Sequence, residues 1–178
     1  MASSSTSPVV PSRRGFLRGR VRDVKPARRP PWAVNELAFL DRCTRCDRCI
    51  DACPTGILVR MDGGFPGVDF TRGECTFCAD CVTHCEPRAL VRADAQALPW
   101  AIVAEIGASC LATTGVECRV CGETCPASAI RFRPQLGGVA RPQLDATQCT
   151  GCGACIAPCP ARAIAMQSTD NLPTERET

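Results

Sequence analysis

Sixteen of the 178 residues are cysteine, and they fall into four groups of four. CTRCDRCIDAC holds Cys43, Cys46, Cys49 and Cys53, and CTFCADCVTHC holds Cys75, Cys78, Cys81 and Cys85. CTGCGACIAPC holds Cys149, Cys152, Cys155 and Cys159. All three follow C-x2-C-x2-C-x3-C. The remaining group, CLATTGVECRVCGETC, keeps C-x2-C-x3-C in Cys118, Cys121 and Cys125, but seven residues separate its first cysteine, Cys110, from them. No cysteine is left over. This spacing is that of loops that ligate iron–sulfur clusters. A cubane presents four iron corners, each taking one thiolate. Cysteines at i, i+3 and i+6 let one tight loop reach three corners while backbone N–H groups face the sulfurs. Gly151 and Gly153 ease that wrapping where φ turns positive.

The closing cysteine of each run ligates the other cluster of a pair. The expected ligand sets are therefore Cys43, Cys46, Cys49 and Cys85 for cluster one, and Cys75, Cys78, Cys81 and Cys53 for cluster two. Cluster three takes Cys110, Cys118, Cys121 and Cys159, and cluster four takes Cys149, Cys152, Cys155 and Cys125. The expected cofactor is thus four [4Fe-4S] clusters. Structural zinc prefers two separated cysteine pairs per ion, and three thiolates within seven residues crowd one tetrahedral site. Disulfide scaffolds belong to short secreted chains. His84 lies inside the second loop, yet a cysteine already fills every slot, and it reads as a bystander.

Other chemistry is poorly provided for. The chain has one histidine, His84, and one lysine, Lys25. A single histidine disfavours His-rich zinc catalysis, Rieske ligation and a Ser-His-Asp triad. Lys25 follows no Gly-rich phosphate loop, and no dinucleotide fingerprint or haem-attachment string occurs. No apolar run approaches the roughly 18 residues of a membrane span. The expectation is a protein that is not an enzyme with its own substrate pocket, and has no membrane span.

These loops need short elements to hold them. Aromatic residues are scarce (two Trp, six Phe, no Tyr), so burial alone provides little core and the clusters must supply much of the stability. The stretches after quartets one and three, PTGILVRMDGGFPGVDFTRGEC and PASAIRFRPQLGGVARPQLDATQC, both read as strand, Gly-Gly turn, strand. The turn residues are Gly63-Gly64 and Gly137-Gly138. Quartets two and four end in matching tails, PRALVR and PARAIAM. Closing cysteines at 53, 85, 125 and 159 repeat at steps of 32, 40 and 34 residues, the mark of tandem modules. The predicted fold class is small α+β, iron–sulfur-stabilised, with two tandem bacterial-type dicluster ferredoxin modules and a flexible basic N-terminal arm. The arm covers 1–34, the modules 35–100 and 101–168, and a tail 169–178. Residues 86–109 join the modules, with their secondary structure open between helix and coil. Asn35 is placed to cap a helical turn through NELAFLDR.

Charge divides the chain the same way. The formal net charge is +3, but residues 1–30 hold eight basic groups against one acidic group, and the remainder thirteen against seventeen. Loaded cluster sites contribute about −2 each, bringing the whole to about −5. A basic arm on an anionic body suits an acidic partner, and the anionic body disfavours nucleic acid. The arm contains Ser12-Arg13-Arg14-Gly15-Phe16-Leu17-Arg18, similar to a twin-arginine export motif, with Arg13, Arg14, Phe16 and Leu17 as candidate partner-binding residues. Charged and proline-rich sequence follows where export needs an apolar segment. The expectation is a retained arm and a cytoplasmic protein.

With these residues in place the chain resembles the NapF family of ferredoxin-type proteins, accessory to periplasmic nitrate reductase. The resemblance runs through SRRGFLRG, RPPW at 29–32, FLDRCTRCDRCIDAC, the widened CLATTGVECRVCGETCP and GVARPQLDATQCTGCGACIAPCP. Cys85-Glu86-Pro87 departs from it slightly, its proline arriving one residue late. The resemblance implies a cytoplasmic four-cluster protein whose partner is the precursor of the nitrate reductase catalytic subunit, met before export. It fits either a maturation factor, supplying a cluster or electrons, or a general polyferredoxin carrying electrons between redox enzymes. For a donor, the long third loop is the expected weak point, because a longer loop costs more closure entropy.

Overall fold

The structure is a computed structural model that describes residues 28–169. Arg13, Arg14, Phe16 and Leu17 lie outside the described residues, as does the tail from 170. Within 28–169 the elements are short and local. Helix α1 (Glu36–Arg42) begins at Asn35, whose side chain accepts the Ala38 N–H at 3.0 Å. This is the expected cap, satisfying one of the orphan donors of the first turn. Single helical turns follow inside three cysteine loops: α2 (Arg48–Asp51), α3 (Asp80–Thr83) and α4 (Val120–Glu123). Strands β1 (Leu58–Arg60) and β2 (Pro66–Val68) pair antiparallel across a 3-10 turn at Asp62–Gly64. Strands β4 (Ile130–Gln135) and β5 (Gly138–Leu144) form the second hairpin. Gly63, Gly64 and Gly137 all have positive φ, as such turns require.

The third strand pair is long-range. Strand β3 (Ile102–Ile106) runs antiparallel to β6 (Ile164–Ser168), Ala104 opposite Met166. The stretch left open between helix and coil thus contains a strand: Ile-Val-Ala-Glu-Ile carries β-branched residues that fit a pleated surface. The first half repeats this closure in miniature. Ala33 bridges Leu90, and the Val34 N–H reaches Ala89 O at 3.1 Å, as the Gly107 N–H reaches Ala163 O at 2.7 Å.

One boundary needs correcting. Residues 28–34, assigned from sequence to the flexible arm, are packed on the first half of the fold. Trp32 is buried, and the Val68 N–H donates to Arg28 O at 2.9 Å. The larger core gathers Trp32, Phe39, Ile57, Phe70, Leu90 and Ile102, so it draws on both predicted modules. A smaller one joins Ala104, Cys121, Ile130, Cys155 and Ile164. Cysteines occupy both. Among the described residues no polar or charged side chain is buried.

Candidate metal centres

The three regular cysteine loops follow one backbone plan. Residues two and four places after the first cysteine are left-handed in the three regular loops: Arg45 and Asp47, Phe77 and Ala79, Gly151 and Gly153. Non-glycine residues in that region cost roughly 1–2 kcal/mol each, a strain that the folded loop must offset. The closing cysteines are handled identically in all four repeats. The backbone N–H groups of Gly56, Arg88, Ser128 and Arg162, three residues on, return to the carbonyls of Cys53, Cys85, Cys125 and Cys159 at 3.0–3.1 Å. All four turning residues have positive φ. The chain therefore reverses directly after each closing cysteine and leads into the next strand or bridge. This directs the cysteine away from its own loop.

The result is four cavities, each walled by four cysteines. One is lined by Cys43, Cys46, Cys49 and Cys85, and a second by Cys75, Cys78, Cys81 and Cys53. A third is lined by Cys110, Cys118, Cys121 and Cys159, and a fourth by Cys149, Cys152, Cys155 and Cys125. Each closing cysteine thus stands at the cavity of the neighbouring loop. Counting the space open at each mouth, the volumes run from about 300 to about 340 Å³, so one kind of occupant suits all four. Among the described residues no three His, Cys, Asp or Glu groups converge to hold a single metal ion. A donor set of four sulfurs around a void suits a multi-iron core and is a poor match to one zinc ion.

Burial sets the electrostatics. The third cysteine of every loop, Cys49, Cys81, Cys121 or Cys155, is buried. Burial pushes the thiols of Cys49 and Cys121 up to about 11 and those of Cys81 and Cys155 up to about 12, with neighbouring thiols adding to the rise. Cys75 is likewise pushed up to about 11, chiefly by burial. Cys46, exposed, is lowered, chiefly through the backbone N–H of Arg48. At Cys53 burial acts upward, but donors from Thr55, Leu58 and Ile57 outweigh it and the net shift is down. Thr55 Oγ1 lies 3.6 Å from Cys53 Sγ, and the Ala163 N–H donates to Cys159 Sγ at 3.4 Å.

Several neighbours of these cavities escaped the sequence reading. Pro31 and Trp32 wall the second cavity, although the sequence placed them in the arm. Trp32 is one of only two tryptophans, and a rare large apolar residue beside a proline pair was the available signal. His84 borders the first cavity, but its ring Nδ1 lies 2.9 Å from Asp80 O. The widened third loop is wound on itself: the N–H groups of Thr113 and Thr114 both reach Cys110 O at 3.0 Å, and Val116 N–H reaches Leu111 O at 2.8 Å.

The chain matches family models described as 4Fe-4S dicluster domains over residues 38–93 and again over 116–163. The second match begins after Cys110, the displaced ligand candidate. Over 138 residues the chain is 52% identical to the ferredoxin-type protein NapF of Haemophilus influenzae, covering 78% of this chain and 77% of that protein. It is 47% identical over 153 residues to the ferredoxin-type protein NapF of Escherichia coli K12, covering 86% and 92%. Identity to the methylamine utilization ferredoxin-type protein MauM of Paracoccus denitrificans is 32% over 182 residues, covering 89% and 80%. No solved structure matches. Among the described residues no helix is long and apolar enough to cross a membrane.

Proposed function

Since this chain belongs to the NapF family of ferredoxin-type proteins, we propose that it is a cytoplasmic four-cluster protein that serves maturation of the periplasmic nitrate reductase catalytic subunit. Its partner is the precursor of that subunit, met before export. The observation that carries the reading is the set of four cavities, each with four cysteines on its walls. Cys43, Cys46, Cys49 and Cys85 hold the first [4Fe-4S] cluster, and Cys53, Cys75, Cys78 and Cys81 the second. Cys110, Cys118, Cys121 and Cys159 hold the third, and Cys125, Cys149, Cys152 and Cys155 the fourth.

When bound, such clusters supply one-electron transfer, or iron and sulfide for delivery. The chain's own contribution is positional. The buried third cysteine of each loop keeps water from one side of its cavity. The backbone N–H groups of Arg48 and Phe77 face Cys46 and Cys75, and Thr55 adds a hydroxyl beside Cys53. Cys46 and Cys78 are exposed and give an external partner access to the first two cavities. In the arm, Arg13, Arg14, Phe16 and Leu17 bring basic and apolar contacts to the precursor.

Labelled iron tests this. The protein is loaded anaerobically with iron-57 clusters, mixed with cluster-free precursor and separated from it. Label in the precursor together with activity marks a cluster donor. Label staying here while the two bind marks electron delivery or chaperoning to the same partner. Absence of binding sinks the maturation reading and leaves the general electron carrier.

A further inference from the structure

No side chain fits at Gly153. A Cβ built there would overlap the Phe70 ring, and one on Gly151 would lie 2.7 Å from Ile102 O and 2.8 Å from Trp100 Nε1. The backbone turn favours glycine but does not by itself require it. Arg45, Asp47, Phe77 and Ala79 hold the same places in the first two loops with φ of 58°, 62°, 58° and 64°, against 72° and 82° for Gly151 and Gly153. The fourth loop needs glycine at both because another part of the chain presses against it. Phe70, against Gly153, lies on the stretch leading into quartet two, whereas Trp100 and Ile102, against Gly151, lie on the stretch that leaves it for β3. Phe70 is buried edge-on against Trp100, ring centres 5.6 Å apart, and the Cys75 N–H donates to Cys152 O at 2.8 Å. Cys152 is buried accordingly, whereas its counterparts Cys46 and Cys78 are exposed. Arg28 reinforces the contact, its guanidinium donating to Met166 O at 2.9 Å.

We propose that quartets two and four form the junction of the molecule, so that the clusters stand in the order one, two, four, three and not in chain order. Gly151, Gly153 and Phe70 are its positioning residues. Sites one and three are then the two ends, and site four is shielded by the first half of the chain. An electron supplied at either end by a low-potential one-electron donor crosses between the halves from site two to site four, or back. One site is oxidised by one electron as the other is reduced, and no proton or ligand moves. The proposal rests on the cysteines being cluster ligands and is independent of the partner.

The test is the magnetic coupling of reduced clusters. Cys43→Ala, Cys46→Ala, Cys110→Ala and Cys118→Ala together leave sites two and four. Cys43→Ala, Cys46→Ala, Cys149→Ala and Cys152→Ala leave sites two and three. After dithionite reduction, the first protein is expected to give a paramagnetic resonance spectrum split by spin–spin interaction, and the second the sum of two isolated clusters. Coupling in the second and its absence in the first overturn the order. Iron and sulfide content report separately whether the cysteines hold clusters at all. Phe70→Arg in the otherwise native chain avoids removing ligands. It is expected to keep full iron and lose the coupling between halves, and unchanged coupling at full iron overturns the proposal.

Discussion

The indole N–H of Trp32 donates to the carbonyl of Ala97 at 2.8 Å, joining residues 65 positions apart. The same residue's backbone N–H reaches Pro99 O at 2.7 Å, and its carbonyl accepts from Val91 N at 2.8 Å. Three hydrogen bonds therefore fix a tryptophan whose φ is 55°, a conformation unfavourable for a bulky side chain. Arg92 lies over the ring at 5.2 Å from its centre. The segment before the first helix is thereby tied to the stretch between the two halves, and the second cavity gains a wall.

Trp32→Ala removes that wall and leaves the Ala97 carbonyl without its donor. Large-to-small changes of this kind cost about 3–5 kcal/mol, so a large drop in the denaturant midpoint of the anaerobic holoprotein is expected. Trp32→Phe keeps most of the volume and should lose much less. A wild-type midpoint for Trp32→Ala would mean that residues 28–34 do not belong to the folded unit.

The β4–β5 hairpin carries the opposite kind of pair. Arg133 and Arg141 stand directly across from each other, both exposed, and neither joins an ion pair among the described residues. Like charges in that relation destabilise a sheet, and opposite ones contribute about 0.2–1 kcal/mol. Arg141→Glu should therefore raise the melting temperature slightly in low salt, with the gain shrinking as salt screens the pair. A lower melting temperature would show that this hairpin is held by something other than its cross-strand neighbours.

What could be read from sequence was local. The cysteine spacing, the two Gly-Gly hairpins and the Asn35 cap each involve residues a few positions apart, where chain geometry leaves few choices. The contacts that escaped lie far apart in sequence: Trp32 on Ala97, Ile102–Ile106 on Ile164–Ser168, Cys75 on Cys152. Gly151 and Gly153 stand between. Only the fourth loop has glycine at both positions, which was visible, and it suggested backbone freedom. The structure adds the Phe70 ring and the Trp100 indole pressed against them, which no local pattern announces.

Cys110→Ser probes the widened loop. A long loop was expected to hold its cluster loosely, but this one is braced by its own backbone hydrogen bonds and by Ala112, which is 1% exposed. If the third site supplies the precursor, the variant should lose about one cluster's share of iron, keep the other three, and fail to support nitrate reductase in a complementation assay. Normal maturation with the third cluster missing would rule that site out as the source.

Proton uptake and release follow from the buried thiols. Burial chiefly pushes Cys49, Cys75 and Cys121 up to about 11, and Cys81 and Cys155 up to about 12, from an ordinary 9.0. Without iron these five are therefore neutral at pH 7.5, and ligation, which needs thiolates, must release their protons. The effect on the metal-free fold has the opposite sign. Raised values mean that the fold keeps protons an unfolded chain has already shed. Their stabilising contribution is complete below about 9 and is lost as the pH climbs through 11 to 12. Base consumed in a pH-stat during anaerobic loading at pH 7.5 should thus account for at least these five groups. Loading should become more favourable at pH 9.5, while the metal-free protein denatures more easily there than at pH 7.5. A metal-free protein more resistant at pH 9.5 would mean that the five thiols are not buried in the metal-free chain. The fold would then be formed by the clusters and would not precede them.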